Sequence, residues 1–161
     1  MTLQKQPHAI ERARYSEPAP NKPIKLSRPT KQDYDSMARL RYALRKFLRF
    51  SKDLVSVKAK LTSEQYEALL ALKAFSDDEG LTVGQLSERV QVKHHTAVSL
   101  TDKLAARNLI TKRRARPDRR YVYVKLTAAG KRLLASLAAG HRREIRTHAN
   151  EMIKALTKLK K

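Results

Sequence analysis

Six basic side chains, Lys112, Arg113, Arg114, Arg116, Arg119 and Arg120, fall within nine positions. Like charges gathered on one hairpin repel one another. A phosphate backbone reverses the sign of that interaction and releases counterions. An arginine at the tip can enter a minor groove and sense the narrow, more negative A·T tracts. Asp118 lies among these residues and can brace a neighbouring arginine. Arg114, Arg116, Asp118, Arg119 and Arg120 therefore form one candidate contact set. A second set lies just upstream, where residues 94–107 fit a helix. At the helical step Ala97, Leu100 and Leu104 share a core face, while His95, Ser99 and Asp102 lie opposite, with His94 and Val98 on a flank. Imidazole and hydroxyl groups can donate to purine N7 or to phosphate, and Val98 can pack on a thymine methyl. Thr96 and Lys103 complete this face. Asp102 is placed at the groove edge, accepting from cytosine N4 or pairing with Lys103. The bland alternatives are a solvated charge run and the ordinary outer face of an amphipathic helix.

The elements that must position these residues occupy Leu81–Leu126: two short helices joined by a tight turn, then a two-strand hairpin. Thr62 with Gln65, and Thr82 with Gln85, have the spacing of capping boxes, with Leu61 and Leu81 as hydrophobic staples. Tyr66, Leu69, Leu70, Leu72 and Phe75 supply core from the first of three helices, and Gly80 suits a left-handed exit. Leu86 and Val90 face the core from the next, and Gln91-Val92-Lys93 makes the turn, with Val92 buried. Asn108 stands at a left-handed cap. Strands over Leu109–Arg114 and Arg120–Leu126 follow, the second alternating Val122, Val124 and Leu126 against Tyr121, Tyr123 and Lys125. A helix, a turn, a helix and a basic wing, in that order, suit duplex DNA.

Longer helices flank this unit. After Pro29, with Thr30 as cap, Tyr34, Met37, Leu40, Leu44, Phe47, Leu48 and Leu54 make one apolar stripe over about six turns. Such a helix has little to cover within its own chain, so a partner subunit is its natural cover. From Thr127, the residues Leu134, Leu137, His141, Ile145, Thr147 or His148, Met152, Leu156 and Leu159 form a second stripe, on one helix or on a pair broken at Gly140. Residues 1–29 hold five prolines and a net charge of +4 and are read as a flexible basic tail adding non-specific phosphate contacts. The expected division is thus tail 1–29, N-terminal dimerisation helix 30–60, winged unit 61–127 and C-terminal dimerisation helix or helix pair 128–161.

Composition agrees with a polyanionic partner: 36 Lys and Arg against 15 Asp and Glu give +21 over 161 residues. The charge is uneven, with 6 acidic and 2 basic residues in 61–90 but 10 basic and 2 acidic in 91–127. Cysteine is absent, which removes disulfides, thiolate ligands and thiol redox sensing within the chain. The sequence contains neither an apolar run of membrane-spanning length nor a signal-peptide pattern, which points to the cytoplasm and the nucleoid. No phosphate-cradling glycine loop, nucleophile–base pair or HExxH is present, so no enzyme and no cofactor is expected. His141, Glu144 and His148 share a helix face at zinc-compatible spacing, but such residues are more often interface or surface groups, and no metal is expected.

Three stretches are similar to the MarR family of winged-helix transcription regulators. They are Leu61-Thr62…Gln65-Tyr66, the run HHTAVSLTDKLAARNLI, and Asp118-x-Arg120…Leu126-Thr127-x-x-Gly130. The resemblance covers residues 30–161 and is specific over 61–130. It implies a mainly α (α+β) fold, a winged helix-turn-helix domain with long N- and C-terminal dimerisation helices. It further implies a homodimer of triangular outline on a pseudo-palindromic double-stranded DNA operator, usually as a repressor. The family's minor-groove arginine corresponds to Arg120, with Asp118 as its brace. Many members bind a small aromatic effector between the dimer helices and the winged unit, where Tyr42, Arg45 and Arg49 would line the cleft. Asn108 departs from the family's usual glycine, the basic tail is longer than usual, and the missing cysteines exclude the thiol-oxidation branch. The competing readings are a nucleoid-associated, architectural DNA-binding protein of little sequence specificity and an RNA-binding protein. The latter lacks exposed aromatic stacking motifs.

Overall fold

A computed structural model of the chain describes residues 28–115 and 121–160. In chain order the described elements are α1 (Lys31–Ala59), α2 (Ser63–Phe75), β1 (Leu81–Thr82), α3 (Val83–Val90), α4 (His94–Ala106), β2 (Ile110–Arg114), β3 (Val122–Leu126) and α5 (Ala128–Leu159). The mainly helical winged helix-turn-helix with long terminal helices is therefore borne out. The basic tail at 1–29 lies almost wholly outside the described residues.

Local chemistry fixes most boundaries. Thr30, Thr62 and Thr82 each accept the N–H three residues on, and Asp33, Gln65 and Gln85 reach back to the cap N–H. These reciprocal bonds satisfy donors that a helix start otherwise leaves open. Gln91 and Asn108 take left-handed conformations at the ends of α3 and α4. Val92 N–H and Leu109 N–H then close back on Ser87 and Leu104 carbonyls, the pattern of a Schellman turn.

The sheet has three strands in the order β1-β3-β2, all antiparallel, one more than the expected hairpin. Leu81 and Thr82 pair with Val124 and Tyr123, although two residues are too few to show a strand period. Gly80 makes that pairing accessible: its φ is +102°, and a Cβ there would lie 2.4 Å from the Val124 carbonyl oxygen. The core runs from Val55 and Ala59 of α1 through Leu61, Tyr66, Leu69, Leu72, Leu81, Leu86, Ala97, Leu100, Leu104 and Val124 to Leu134 and Leu137 of α5. Leu70 and Phe75, expected in it, are exposed. The Arg89 guanidinium lies over the Phe75 ring at 4.2 Å. Val92 is half-buried.

The long helices depart from expectation in two ways. First, α1 has cover within its own chain, because it runs antiparallel along α5. Ser51 meets His141, Leu54 meets Gly140, and Ser36 and Ala155 line one groove. The buried face of α1 is Ser36, Ala43, Ser51, Val55 and Ala59. Small side chains let the two helix axes approach. Tyr34, Leu44 and Leu48 of the expected stripe are exposed instead, and so are Ile145 and Leu156 on α5. Second, α5 is one unbroken helix of 32 residues. Gly140 accommodates Leu54, whose Cδ2 would stand 2.9 Å from an added Cβ. It is a point of close approach and not a break. Helix α1, at 29 residues, is also longer than six turns. Nothing after Leu54 breaks it before Lys60 turns left-handed.

Candidate nucleic-acid interface

Helix α4 stands on the core through Ala97, Leu100, Thr101 and Leu104, all buried. Thr101 was not on the expected core face. It satisfies its hydroxyl by donating to the Val98 carbonyl at 2.8 Å, which lets a polar residue occupy a fully buried site. His94, His95, Thr96, Val98, Ser99 and Lys103 are all exposed. Lys93 caps the helix without a side-chain bond, so the N–H groups of the first turn have no side-chain cap.

The wing brings basic residues beside this helix in an order set by strand register. Lys112 lies opposite Val124, Arg113 opposite Tyr123, and Arg114 opposite Val122. Residues opposite each other share a face, so Lys112 and Arg114 lie on the core side and Arg113 on the reverse. Lys112 reaches Asp102 of α4 at 2.5 Å. Asp102 therefore pairs with Lys112 of the wing and not with Lys103, because the strand passes beside the C-terminal half of the helix. Arg113 is paired with Glu79 and stands 5.7 Å from the Tyr123 ring centroid. Two of the six clustered cations thus have acidic partners from elsewhere in the unit, which the residue spacing did not disclose. Arg114 is exposed at the end of β2. Ala115 N–H donates to the Tyr121 carbonyl at 2.9 Å, closing the hairpin as far as it is described. Arg116, Asp118, Arg119 and Arg120 lie outside the described residues.

The acidic stretch at 77–79 lies beside the sheet, away from the α4 face. Asp77 accepts from the Glu79 and Gly80 amides at 2.8 and 2.9 Å, and Lys125 Nζ bonds the Asp78 carbonyl. This loop holds the base of the wing.

The expected effector residues do not converge. Tyr42 lines a groove of about 440 Å³ between α1 and α5, together with Asp35, Ser36, Arg39, Glu151, Lys154, Ala155 and Lys158. Arg45 and Arg49 are exposed on α1 and are not part of its lining. Where the long helices meet α2, the space is filled. His141 stacks on Tyr66 at 4.3 Å and meets the edges of Phe47 and Phe50 at 6.1 and 6.2 Å. Its Nδ1 lies 2.9 Å from the Leu137 carbonyl and its Nε2 lies 2.8 Å from Ser51 Oγ. A carbonyl only accepts, so Nδ1 carries the proton, and in the neutral ring Nε2 accepts from Ser51. Both nitrogens are thereby committed to the helix junction. His148 instead pairs with Glu144 at 3.1 Å. Among the described residues, no group of three or more His, Asp or Glu side chains is placed to hold a metal ion.

A buried three-helix core, a short sheet and an exposed helix beside a basic hairpin define a winged helix-turn-helix protein. Residues 59–120 match the model of the MarR family, the family that the motifs of the sequence resemble. Solved structures agree. A mutant of MepR from S. aureus has 24% identity and a TM-score of 0.66, over 76% of this chain and 94% of that one. The PcaV transcriptional regulator from Streptomyces coelicolor has 27% identity and a TM-score of 0.54, over 66% of this chain and 77% of that one. A second MepR mutant, bound to an oligodeoxyribonucleotide, has 23% identity and a TM-score of 0.60, over 78% and 94%. No curated protein matches the chain. No helix among the described residues is long and apolar enough to cross a membrane.

Proposed function

We propose that the chain is a homodimeric, sequence-specific regulator of transcription that represses from pseudo-palindromic double-stranded DNA operators. The observation that carries this reading is the α4 face, where His94, His95, Thr96, Val98, Ser99 and Lys103 are exposed together beside a hairpin rich in arginine. A helix of this kind enters the major groove and reads base edges, while Arg114, Arg116, Arg119 and Arg120 hold the backbone or the adjacent minor groove, with Asp118 aiming Arg120. Dimerisation is supported by apolar side chains left exposed along both long helices, including Tyr34, Leu44, Leu48, Ile153 and Leu156. Two copies on one duplex face present their recognition helices roughly 34 Å apart. MepR has been solved on an oligodeoxyribonucleotide, and PcaV with its natural ligand. By analogy a small aromatic effector relieves repression here, bound in the groove that Tyr42 lines, with Arg45 and Arg49 exposed on the same helix outside it. The cytoplasm, in association with the nucleoid, is the matching location.

Selection of bound sequences from a random duplex library, repeated with aromatic acids, tests this. A palindromic consensus bound about a thousandfold or more above random DNA supports the regulator. A ratio near one replaces it with an architectural DNA-binding protein, for which the +21 charge would then be the main driver.

A further inference from the structure

The last turn of α4 is gripped from both sides. Arg107, directly after the helix, donates from one guanidinium nitrogen to the Lys60 carbonyl at 3.0 Å and from another to the Ala59 carbonyl at 2.7 Å. These carbonyls end α1, where a helix leaves its acceptors open and its dipole negative, so a cation is doubly favoured. On the other side, the Asn108 carbonyl accepts from Thr127 Oγ at 2.7 Å, and the Leu109 carbonyl accepts from Thr127 N–H at 3.1 Å. Thr127 is the N-cap of α5. A Cβ on Gly130 would come within 2.0 Å of the Leu109 oxygen, so the two backbones are in direct contact. Residues 107–109 therefore join the C-terminus of one long helix and the N-terminus of the other to the exposed helix.

We propose that this three-residue turn is the joint through which the α1–α5 pair sets the direction of α4, with Arg107 as its positioning residue. Arg107 acts on α4 through α1 and needs no contact with DNA. The inference rests on the reading of α4 as a recognition helix. If the long helices dimerise, the angle between the two recognition helices, and hence the half-site spacing accepted, is fixed at this joint. A two-point guanidinium grip holds a direction, whereas a lysine in its place offers a single ammonium.

The test uses the full chain with Arg107→Gln and Arg107→Lys. Hydrogen exchange in the DNA-free protein should speed up over residues 55–61 and 104–109 by about tenfold in Arg107→Gln, the loss expected for charge-assisted bonds. The increase should be smaller in Arg107→Lys. On duplexes differing only in half-site spacing, Arg107→Gln should lose most of its preference for one spacing, while the slope of log affinity against log salt stays unchanged. A slope lowered by about one, with exchange unaltered, would make Arg107 a phosphate contact and overturn the proposal. Unchanged exchange and unchanged spacing preference would overturn it as well. If the wild-type chain binds no operator, the regulator reading fails, and the exchange experiment still decides whether Arg107 joins α1 to α4.

Discussion

The winged unit and the α1–α5 pair satisfy their side chains in opposite ways. In the winged unit, the core is mainly apolar and polar groups find local partners: caps close on their own helices, Asp102 holds Lys112, and Glu79 holds Arg113. In the helix pair, polar residues share the inside with small and apolar ones. Ser51 and His141 share a buried bond, and Ser36 Oγ is buried with no hydrogen-bond partner. Large apolar residues such as Leu48 and Ile153 face outward. Large apolar side chains exposed along a helix pair mark a surface suited to association, and this is the surface the proposed homodimer would bury. The winged unit can recognise a partner through polar chemistry, and the helix pair through burial of apolar area.

The sharpest way to break this comparison sets two glycines of α5 against each other. At Gly130, where the helix abuts the winged unit, an added Cβ would strike the Leu109 backbone, which cannot move without displacing α4. Gly130→Ala should cost more than about 3 kcal/mol in urea unfolding, at the severe end of single substitutions. At Gly140, within the helix pair, the obstacle is the end of the Leu54 side chain, which can rotate. Alanine also gains about 1 kcal/mol of helix propensity over glycine. Gly140→Ala should therefore change stability by less than about 1 kcal/mol. Equal costs would mean that the pair is packed as rigidly as the winged unit.

The next effect is on binding. Arg114→Ala removes a cation at the exposed end of β2. It should weaken all duplexes alike and lower the salt slope by about one, whereas Ser99→Ala should reduce the operator-to-random ratio by about 1–3 kcal/mol and leave the slope unchanged. Filter binding across a salt series separates the two. If both variants behave alike, the division between a reading helix and a holding wing is wrong.

A smaller effect compares the caps. Thr82 bonds Gln85 in the winged unit with Thr82 half-buried, and Thr30 bonds Asp33 at the exposed start of α1. Thr82→Ala should cost about 1 kcal/mol in urea unfolding, near the middle of the range for lost caps. Thr30→Ala should cost less, because the end of a long helix can fray without unfolding the rest.

What the sequence disclosed follows the same division. Capping boxes at Thr62 and Thr82, the left-handed Asn108 and the core face of α4 depend on residues three or four apart, and they were legible as such. Strand β1 was not, because two residues carry no period and their partner Val124 is 43 positions beyond Leu81. Spacing offers Asp102 its neighbour Lys103 or a base edge, and its partner Lys112 is not legible because it arrives by strand register. On α1 the apolar stripe was legible, but the small-residue face that packs on α5 was not. A helix with one small-residue face and one large apolar face offers two surfaces, and spacing alone does not say which one its own chain takes.

The smallest contrast is in pH dependence. The Thr30 N–H, and after it the Thr30 hydroxyl, hold the Asp33 carboxyl below its ordinary 3.8. A depressed carboxyl contributes stability that is present above the unfolded value and lost as pH falls through the folded one. Glu67 on α2 is shifted the other way, chiefly by partial desolvation and then by the nearby Glu64 charge, so its folded value stands above the ordinary 4.5. Its ionised form is the disfavoured one, and its contribution is most favourable below that ordinary value and is lost as pH rises through the folded one. The two substitutions should therefore act with opposite sign at neutral pH: Asp33→Asn lowers Tm slightly and Glu67→Gln raises it slightly. Both differences should vanish on acidification, that of Glu67→Gln at the higher pH. Thermal melts between pH 3 and 7 measure this. A Glu67→Gln variant less stable than wild type at pH 7 would mean that the carboxylate has a partner in the winged unit whose attraction outweighs its desolvation.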